Sequence, residues 1–139
     1  MILLDTNVIS EPLRAAPEPC VVAWLDAQLM ETLYLSVVTV AELRFGVARL
    51  PAGKRRDSLR ARLEAEVIPA FGERILVFDL AATQAYAELM SKAQAAGLAI
   101  GLADGYIAAI ATVNGMLVAT RDRAPFDAAN VSVIDPWSM

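Results

Sequence analysis

Four acidic residues are placed where a metal-dependent active site would need them, each beside an apolar segment. They are Asp5, Glu42, Asp104 and Asp122. Carboxylate oxygens are ligands of hard divalent cations, so a cluster of these side chains predicts a site for Mg²⁺ or Mn²⁺. A cation held there lowers the pKa of a bound water and stabilises the charge that develops at a phosphodiester. The residue types therefore predict hydrolysis of phosphodiester bonds.

The composition excludes most other catalytic designs. The chain has 139 residues, no histidine and a single cysteine, Cys20. Serine–histidine and cysteine–histidine nucleophiles and histidine-based zinc sites are therefore excluded, and catalysis must rest on carboxylates. The net charge of −4 argues against a protein that coats nucleic acid non-specifically, which needs a basic face.

The apolar pattern predicts strands that alternate with helices. We predict strands at residues 2–4, 33–35, 75–78, 117–119 and 131–134. We predict helices at residues 8–14, 21–29, 36–50, 54–71, 81–96 and 102–114. This alternation indicates an α/β fold with a parallel sheet covered on both faces, and the length indicates one domain over residues 1–139.

The predicted topology brings the four acids to one edge of the sheet. In a parallel sheet, the residue that leaves a strand and the first turn of the next helix both lie at the carboxyl edge. Asp5 and Asp122 follow strands, and Glu42 lies early in the helix after the second strand. The helix of Asp104 leads back into the strand at 117–119, so its N-terminus points to the same edge.

Each acid also has a purely structural explanation. Asp5 and Asp122 are suited to cap helices, Asp104 to complement a helix dipole, and the segment from Thr39 to Glu42 matches a capping box. Taken singly, these explanations are the more common ones. The four together favour a bound cation, because each unscreened pair of carboxylates about 5 Å apart costs on the order of 1 to 3 kcal/mol.

Polar and basic residues adjoin the acids. Thr6, Asn7 and Thr120 are suited to hydrogen-bond the carboxylates or a phosphate, and equally to serve as turn and cap residues. Arg121 follows the strand before Asp122, where contact with a phosphate is expected.

A separate set of basic residues clusters on the helix predicted at 54–71. They are Lys54, Arg55, Arg56, Arg60 and Arg62. Acidic residues are interleaved with them, which favours a solvated face with ion pairs. A groove that tracks an RNA backbone is the alternative.

The chain resembles the PIN-domain ribonucleases over its whole length. The resemblance rests on Ile2 to Asn7, Leu35 to Gly46, Ala103-Asp104, Thr120 to Asp122 and Ile134 to Trp137. It is strongest to the toxin halves of VapBC-type toxin–antitoxin pairs, in their FitB-like branch. The chain departs from many members in having Asp122 where they have Asn, and Pro125 where they have an Asp.

The resemblance implies a PIN-like α/β/α sandwich whose metal ligands are Asp5, Glu42, Asp104 and Asp122. It implies an Mg²⁺- or Mn²⁺-dependent endoribonuclease, usually a homodimer, that a small antitoxin inhibits. The antitoxin would carry a DNA-binding domain, so that operator DNA is reached only through it. With one cysteine, no room for a leader and no membrane span expected, we place the protein in the cytoplasm.

Other functions remain to be weighed against this one. The chain would also suit a non-catalytic antitoxin-binding component of a DNA-bound repressor. A phosphotransfer receiver domain needs a lysine at a strand end, which neither Lys54 nor Lys92 provides. A phosphatase of the haloacid-dehalogenase type needs an Asp at position 7, where this chain has Asn7.

Overall fold

The computed structural model describes residues 1–139. Its centre is a sheet of five parallel strands in the order β3-β2-β1-β4-β5. The strands are β1 Ile2–Leu4, β2 Leu33–Ser36, β3 Ile75–Leu76, β4 Leu117–Ala119 and β5 Val133–Ile134. Because β1 lies in the middle of this order, its carboxyl end sits between those of β2 and β4.

Eight α-helices connect and cover the strands. They are α1 Thr6–Ser10, α2 Pro19–Ala27, α3 Val37–Ala48, α4 Lys54–Arg62, α5 Ile68–Phe71, α6 Leu80–Ala95, α7 Leu102–Val113 and α8 Ala124–Ala128. A π-helical turn, Leu63–Val67, joins α4 to α5, and short 3₁₀ turns precede β2 and β3. No helix is both long enough and apolar enough to span a bilayer.

The sheet is buried on both faces, as the alternation of side chains along β1 shows. Leu3 belongs to a core that includes α7 residues such as Ile107, whereas Ile2 and Leu4 belong to a second core beside Val8 of α1. Successive side chains of a strand point to opposite faces, so helices must cover both. The predicted α/β/α sandwich with a central parallel sheet is therefore confirmed.

The predicted elements are confirmed in kind, with differences at their ends. The strand predicted at 75–78 ends at Leu76, and the one predicted at 131–134 begins at Val133. The helix predicted at 54–71 is interrupted by the π turn, and α8 was not predicted. A helix of five residues that begins beside a proline is too short to show helical periodicity.

Two of the capping assignments are wrong. The N-cap of α3 is Ser36, whose Oγ accepts a hydrogen bond from the Thr39 backbone N–H at 3.1 Å, so Thr39 is not the cap of a Thr39–Glu42 box. Asp122 does not cap α8, because its N-cap is Arg123. Asp5 does cap α1, since its carboxylate accepts from the Thr6 backbone N–H at 2.8 Å.

The α6–α7 pair packs closely at Gly105. A Cβ at this position would lie 3.0 Å from Tyr86 Cε2 and 3.1 Å from Met90 Sδ. The Tyr86 ring is held in place, because it stacks on Tyr106 with centroids 5.0 Å apart and meets Phe78 edge-on. Glycine is therefore required here by packing.

We predict opposite effects for two glycine substitutions. Gly105→Ala should lower the free energy of unfolding by about 1 to 2 kcal/mol, because Tyr86 has no room to move away. Gly46→Ala in α3 should raise it by about 0.5 to 1 kcal/mol, because no atom lies within 4 Å of the added Cβ and alanine favours the helix. Urea titrations of both variants and the wild type test this, and a stabilised Gly105→Ala would contradict the packing argument.

Candidate active site

Asp5 is the fixed acid of the site. It directly follows β1, its backbone N–H donates to the Ala119 carbonyl at 2.9 Å, and only 5% of the residue is exposed. Its carboxylate accepts hydrogen bonds from the Thr6 backbone N–H at 2.8 Å and from the Thr120 hydroxyl at 2.7 Å. Burial raises the pKa of Asp5; these two hydrogen bonds oppose the rise, and the charges of Glu42 and Asp122 add to it.

Thr120 joins the segments that follow β1 and β4. Its buried hydroxyl donates to Asp5 and accepts from Asn7 Nδ2 at 3.3 Å and from the Asp122 backbone N–H at 3.1 Å. One donor and two acceptor sites are all that a hydroxyl offers, so Thr120 is fully satisfied. Asn7 extends this network, since its Oδ1 accepts from the Arg121 backbone N–H at 3.3 Å.

Glu42 reaches the site from α3 and lies in a more exposed position than Asp5. Its Oε1 accepts a hydrogen bond from the Thr6 hydroxyl at 2.6 Å. The Thr6 hydroxyl oxygen also lies 3.2 Å from that of Thr39, which in turn is 3.4 Å from Ser36 Oγ. A chain of hydroxyls at the start of α3 therefore positions Glu42.

Asp104 has the most perturbed carboxylate of the four. It lies in the first turn of α7 and accepts no hydrogen bond. Partial burial is the largest cause that raises its pKa to about 6, followed by the charges of Asp5, Asp122 and Glu42. A helix N-terminus alone would lower this pKa, so the neighbouring acids and burial outweigh the dipole.

Asp122 and Arg121 lie on the exposed segment after β4. The Asp122 carboxylate accepts no hydrogen bond, although its charge contributes to the raised pKa of both Asp5 and Asp104. The Arg121 guanidinium lies over the Trp137 ring, 5.1 Å from its centroid, instead of pairing with an acid. This stacking leaves the guanidinium edge free to contact an anion.

The structure thus brings the four acids within electrostatic reach of one another without closing them into a ligand cage. No three acidic side chains are near enough together to hold one ion. The two observations agree, because Coulomb interactions act over longer distances than coordination bonds. The all-oxygen donor set suits Mg²⁺ or Mn²⁺, and the unpartnered carboxylates of Asp104 and Asp122 have free oxygens for it.

Sequence reasoning missed the contribution of Ser36 and Thr39 to the site. Both are fully buried and connect through Thr6 to Glu42. The available signal was the pair of hydroxyl residues three positions apart at the start of α3. The predicted capping box began at Thr39, one turn after the true cap, Ser36. Of the basic residues of α4, Arg62 lies 3.9 Å from Glu66, as expected for a solvated face, whereas Arg55 lines a groove together with Glu42.

Comparison with known proteins establishes the family. The family model for the PIN domain matches residues 2–131. The chain belongs to the PIN-domain family. The four acids and the threonines that contact them all lie within the matched residues.

Close relatives of this PIN domain cover its whole length. It is 61% identical over 137 residues to the plasmid stability protein StbB of Pseudomonas syringae pv. tomato, with 99% of each chain covered. It is 59% identical over 137 residues to the VapC ribonuclease Y4jK of Sinorhizobium fredii, with 99% and 98% covered. Toxin FitB of Neisseria gonorrhoeae is 54% identical over 137 residues, with 99% of each covered. The chain is therefore a VapC- and FitB-type PIN domain.

Solved structures agree with this assignment. The crystal structure of FitAcB from Neisseria gonorrhoeae contains a chain that superposes with a TM-score of 0.97 at 53% identity, covering 100% of both chains. A structure of FitAB bound to an IR36 DNA fragment gives a TM-score of 0.96 at 53% identity, covering 99% of this chain and 96% of that one.

We predict that Asp104 makes the stability of the PIN domain fall as pH rises. The pKa of Asp104 in the folded chain lies above its ordinary value of 3.8, so the folded state binds the proton more tightly between that value and about pH 6. As the pH rises through that window, Asp104 ionises and the stability of the fold falls. Asp104→Asn should raise the free energy of unfolding at pH 7.5 by about 1 kcal/mol, allowing for solvent screening, and leave it unchanged near pH 3.5. Urea titrations in EDTA at both pH values measure this difference, and destabilisation at pH 7.5 would show a structural role.

We predict that Thr120→Val destabilises the PIN domain by about 2 kcal/mol at pH 7. The valine removes the hydroxyl that donates to Asp5 and accepts from Asn7 Nδ2 and the Asp122 backbone N–H, while keeping the side-chain volume. Thr112→Val is the control, because the Thr112 hydroxyl donates only to the Ala108 carbonyl of its own helix, at 2.8 Å. If urea titrations showed that the two variants lose equal free energy of unfolding, this result would contradict a special role for Thr120.

Proposed function

We propose that residues 1–139 form a single PIN domain that acts as a toxin by cleaving RNA, as a divalent-cation-dependent endoribonuclease. The observation that carries this proposal is Asp104, a carboxylate with no hydrogen-bond partner whose pKa is raised by partial burial and by three neighbouring acids. An arrangement of this kind is unfavourable unless a cation neutralises it. The 59% identity to the VapC ribonuclease Y4jK supports RNA as the substrate.

The residues have separable roles in this proposal. Asp5, Glu42, Asp104 and Asp122 would hold Mg²⁺ or Mn²⁺. When bound, the ion supplies a Lewis acid and a water of lowered pKa. Thr120 and the Thr6 backbone N–H keep the Asp5 carboxylate in one orientation, and the Thr6 hydroxyl does the same for Glu42. Arg121 is free to contact a phosphate of the substrate.

A second function follows from the FitAB structure bound to DNA. We propose that this chain also binds a small antitoxin with a DNA-binding domain and reaches operator DNA only through it. The net charge of −4 supports an indirect route, because direct binding to duplex DNA needs a basic face.

We further propose that the protein is a homodimer. Leu80 and Leu102 are 86% and 64% exposed on adjacent helices, and exposed apolar surface of this kind favours association with a second copy of the chain.

We predict that the purified protein cleaves RNA only when Mg²⁺ or Mn²⁺ is present. Asp104→Asn should reduce the rate more than about a hundredfold, because even groups that only orient metal ligands contribute 10- to 100-fold. Asp26→Asn, an exposed acid of α2, is the matched control and should keep wild-type activity. Cleavage that continues in excess EDTA would contradict the proposal.

Binding of the cation by itself separates the enzyme from a non-catalytic antitoxin-binding component. Calorimetric titration with Mn²⁺ should show binding that Asp5→Asn weakens more than about tenfold, because the substitution removes one anionic ligand. A protein that binds no cation in this titration, yet still binds its antitoxin, would favour the non-catalytic function.

A further inference from the structure

A groove between α1, α3 and α4 leads away from the carboxyl edge of the sheet where the four acids lie, which we call the acidic edge. We call it the basic groove and define it by Thr6, Glu42, Gly46, Arg49, Arg55 and Arg14, all of which line it. It continues past Arg14 and Arg55 along α4 to Lys54 and Arg62. Thr6 and Glu42 also belong to the acidic edge, so the groove opens directly onto the candidate active site.

The groove is positively charged although the chain as a whole is negative. Glu42 is its only acidic lining residue, at the end next to the site. Arg49, Arg55 and Lys54 form no ion pair and are exposed. Their charge is therefore available to a ligand, in contrast to that of Arg62 of α4, which pairs with Glu66.

Arg14 is held at the groove by a buried carboxylate. Its Nη1 lies 3.1 Å from Glu11 Oε1, and Glu11 is 3% exposed. Glu11 also accepts from the Glu18 backbone N–H at 3.2 Å, which fixes it. The Arg14 side chain remains 64% exposed, so its remaining N–H groups face the groove and solvent.

Gly46 leaves the floor of the groove bare. Glu42 and Gly46 are four residues apart in α3, and Arg49 is its C-cap, three residues further on, so the three lie on one face of the helix. No protein atom lies within 4 Å of a Cβ placed on Gly46, and its backbone is helical, so neither packing nor a positive φ requires glycine. A glycine that weakens its helix without a structural reason indicates close approach by a ligand.

We propose that the basic groove binds the sugar–phosphate backbone of the RNA strand on one side of the scissile bond. The proposal rests on the function proposed above. Arg49 lies about 10 Å along α3 from Glu42, so its charge is placed to meet phosphates beyond the one being cleaved, away from the cation. Gly46 gives the strand room between the two.

The charge of the groove favours RNA over a protein partner as its occupant. The cavity bounded by Leu4, Leu25, Leu33 and Phe71 offers the apolar lining that a partner helix needs. The basic groove instead places positively charged side chains at intervals along a path from the acids, which matches the repeating negative charge of a nucleic acid strand.

The test measures binding of a labelled single-stranded oligoribonucleotide by fluorescence anisotropy. All proteins carry Asp104→Asn, which slows cleavage of the bound RNA, and Kd is measured over a range of NaCl concentrations. Arg49→Gln and Arg55→Gln should each raise Kd about tenfold at low salt and reduce the magnitude of the slope of log Kd against log salt by about 0.7. Arg60→Gln is the control; this exposed arginine of α4 lies outside the groove and its loss should change neither quantity.

A second set of variants tests the floor of the groove in the otherwise wild-type protein. Gly46→Leu should reduce RNA cleavage more than about tenfold while the melting temperature stays equal or rises, because the added side chain enters the groove and not the core. Gly46→Ala should have a smaller effect on cleavage. Full activity of Gly46→Leu would overturn the proposal.

The outcomes separate this proposal from the function on which it rests. Unchanged Kd and salt slope for Arg49→Gln and Arg55→Gln, with RNA cleavage by the wild type, would overturn the groove and leave the ribonuclease standing. Weaker binding of the cognate antitoxin with unchanged RNA binding would assign the groove to a protein partner and overturn it too. Absence of any RNA binding and cleavage by the wild type would overturn both.

Discussion

Repulsion between carboxylates at one edge of a parallel sheet is the constraint on which the rest of the site depends. Hydrogen bonds offset this repulsion at some of the carboxylates and not at others. Asp5 is compensated by the Thr120 hydroxyl and the Thr6 backbone N–H, and Glu42 by the Thr6 hydroxyl. Asp104 receives no such bond, and its pKa rises to about 6. In the proposed function, a cation would remove the remaining unfavourable energy on binding, and the affinity for metal would come at the expense of the stability of the metal-free fold.

The threonines that hold the acids also hold the strands together. Thr120 follows β4 and bonds to Asp5 after β1, while Thr39 at the start of α3 meets Thr6 at the start of α1. The acids therefore keep their relative positions because the central strands keep their register. Any change that shifts β1 against β4 by one residue would turn Asp5 towards the opposite face of the sheet.

Charge in this protein is segregated over a short distance. The acidic edge collects four carboxylates, and the basic groove begins at Glu42 and leads to Arg49 and Arg55. In the proposed function, a polyanionic substrate would use both regions, because the cation would draw one phosphate to the acids while the arginines neutralise its neighbours. The overall charge of −4 conceals this arrangement, since it sums two regions of opposite sign.

The sequence by itself determined the strands and helices, the parallel α/β class and the convergence of four acids, because side-chain periodicity and strand-end position follow from local spacing. It did not determine α8 or the Ser36 cap, where several short-range alternatives compete within one turn. Only the tertiary structure decided that Asp104 is the acid with the most strongly raised pKa and that Gly46 opens a basic groove. Burial, neighbouring charge and empty space arise between segments far apart in the chain, and no local pattern encodes them.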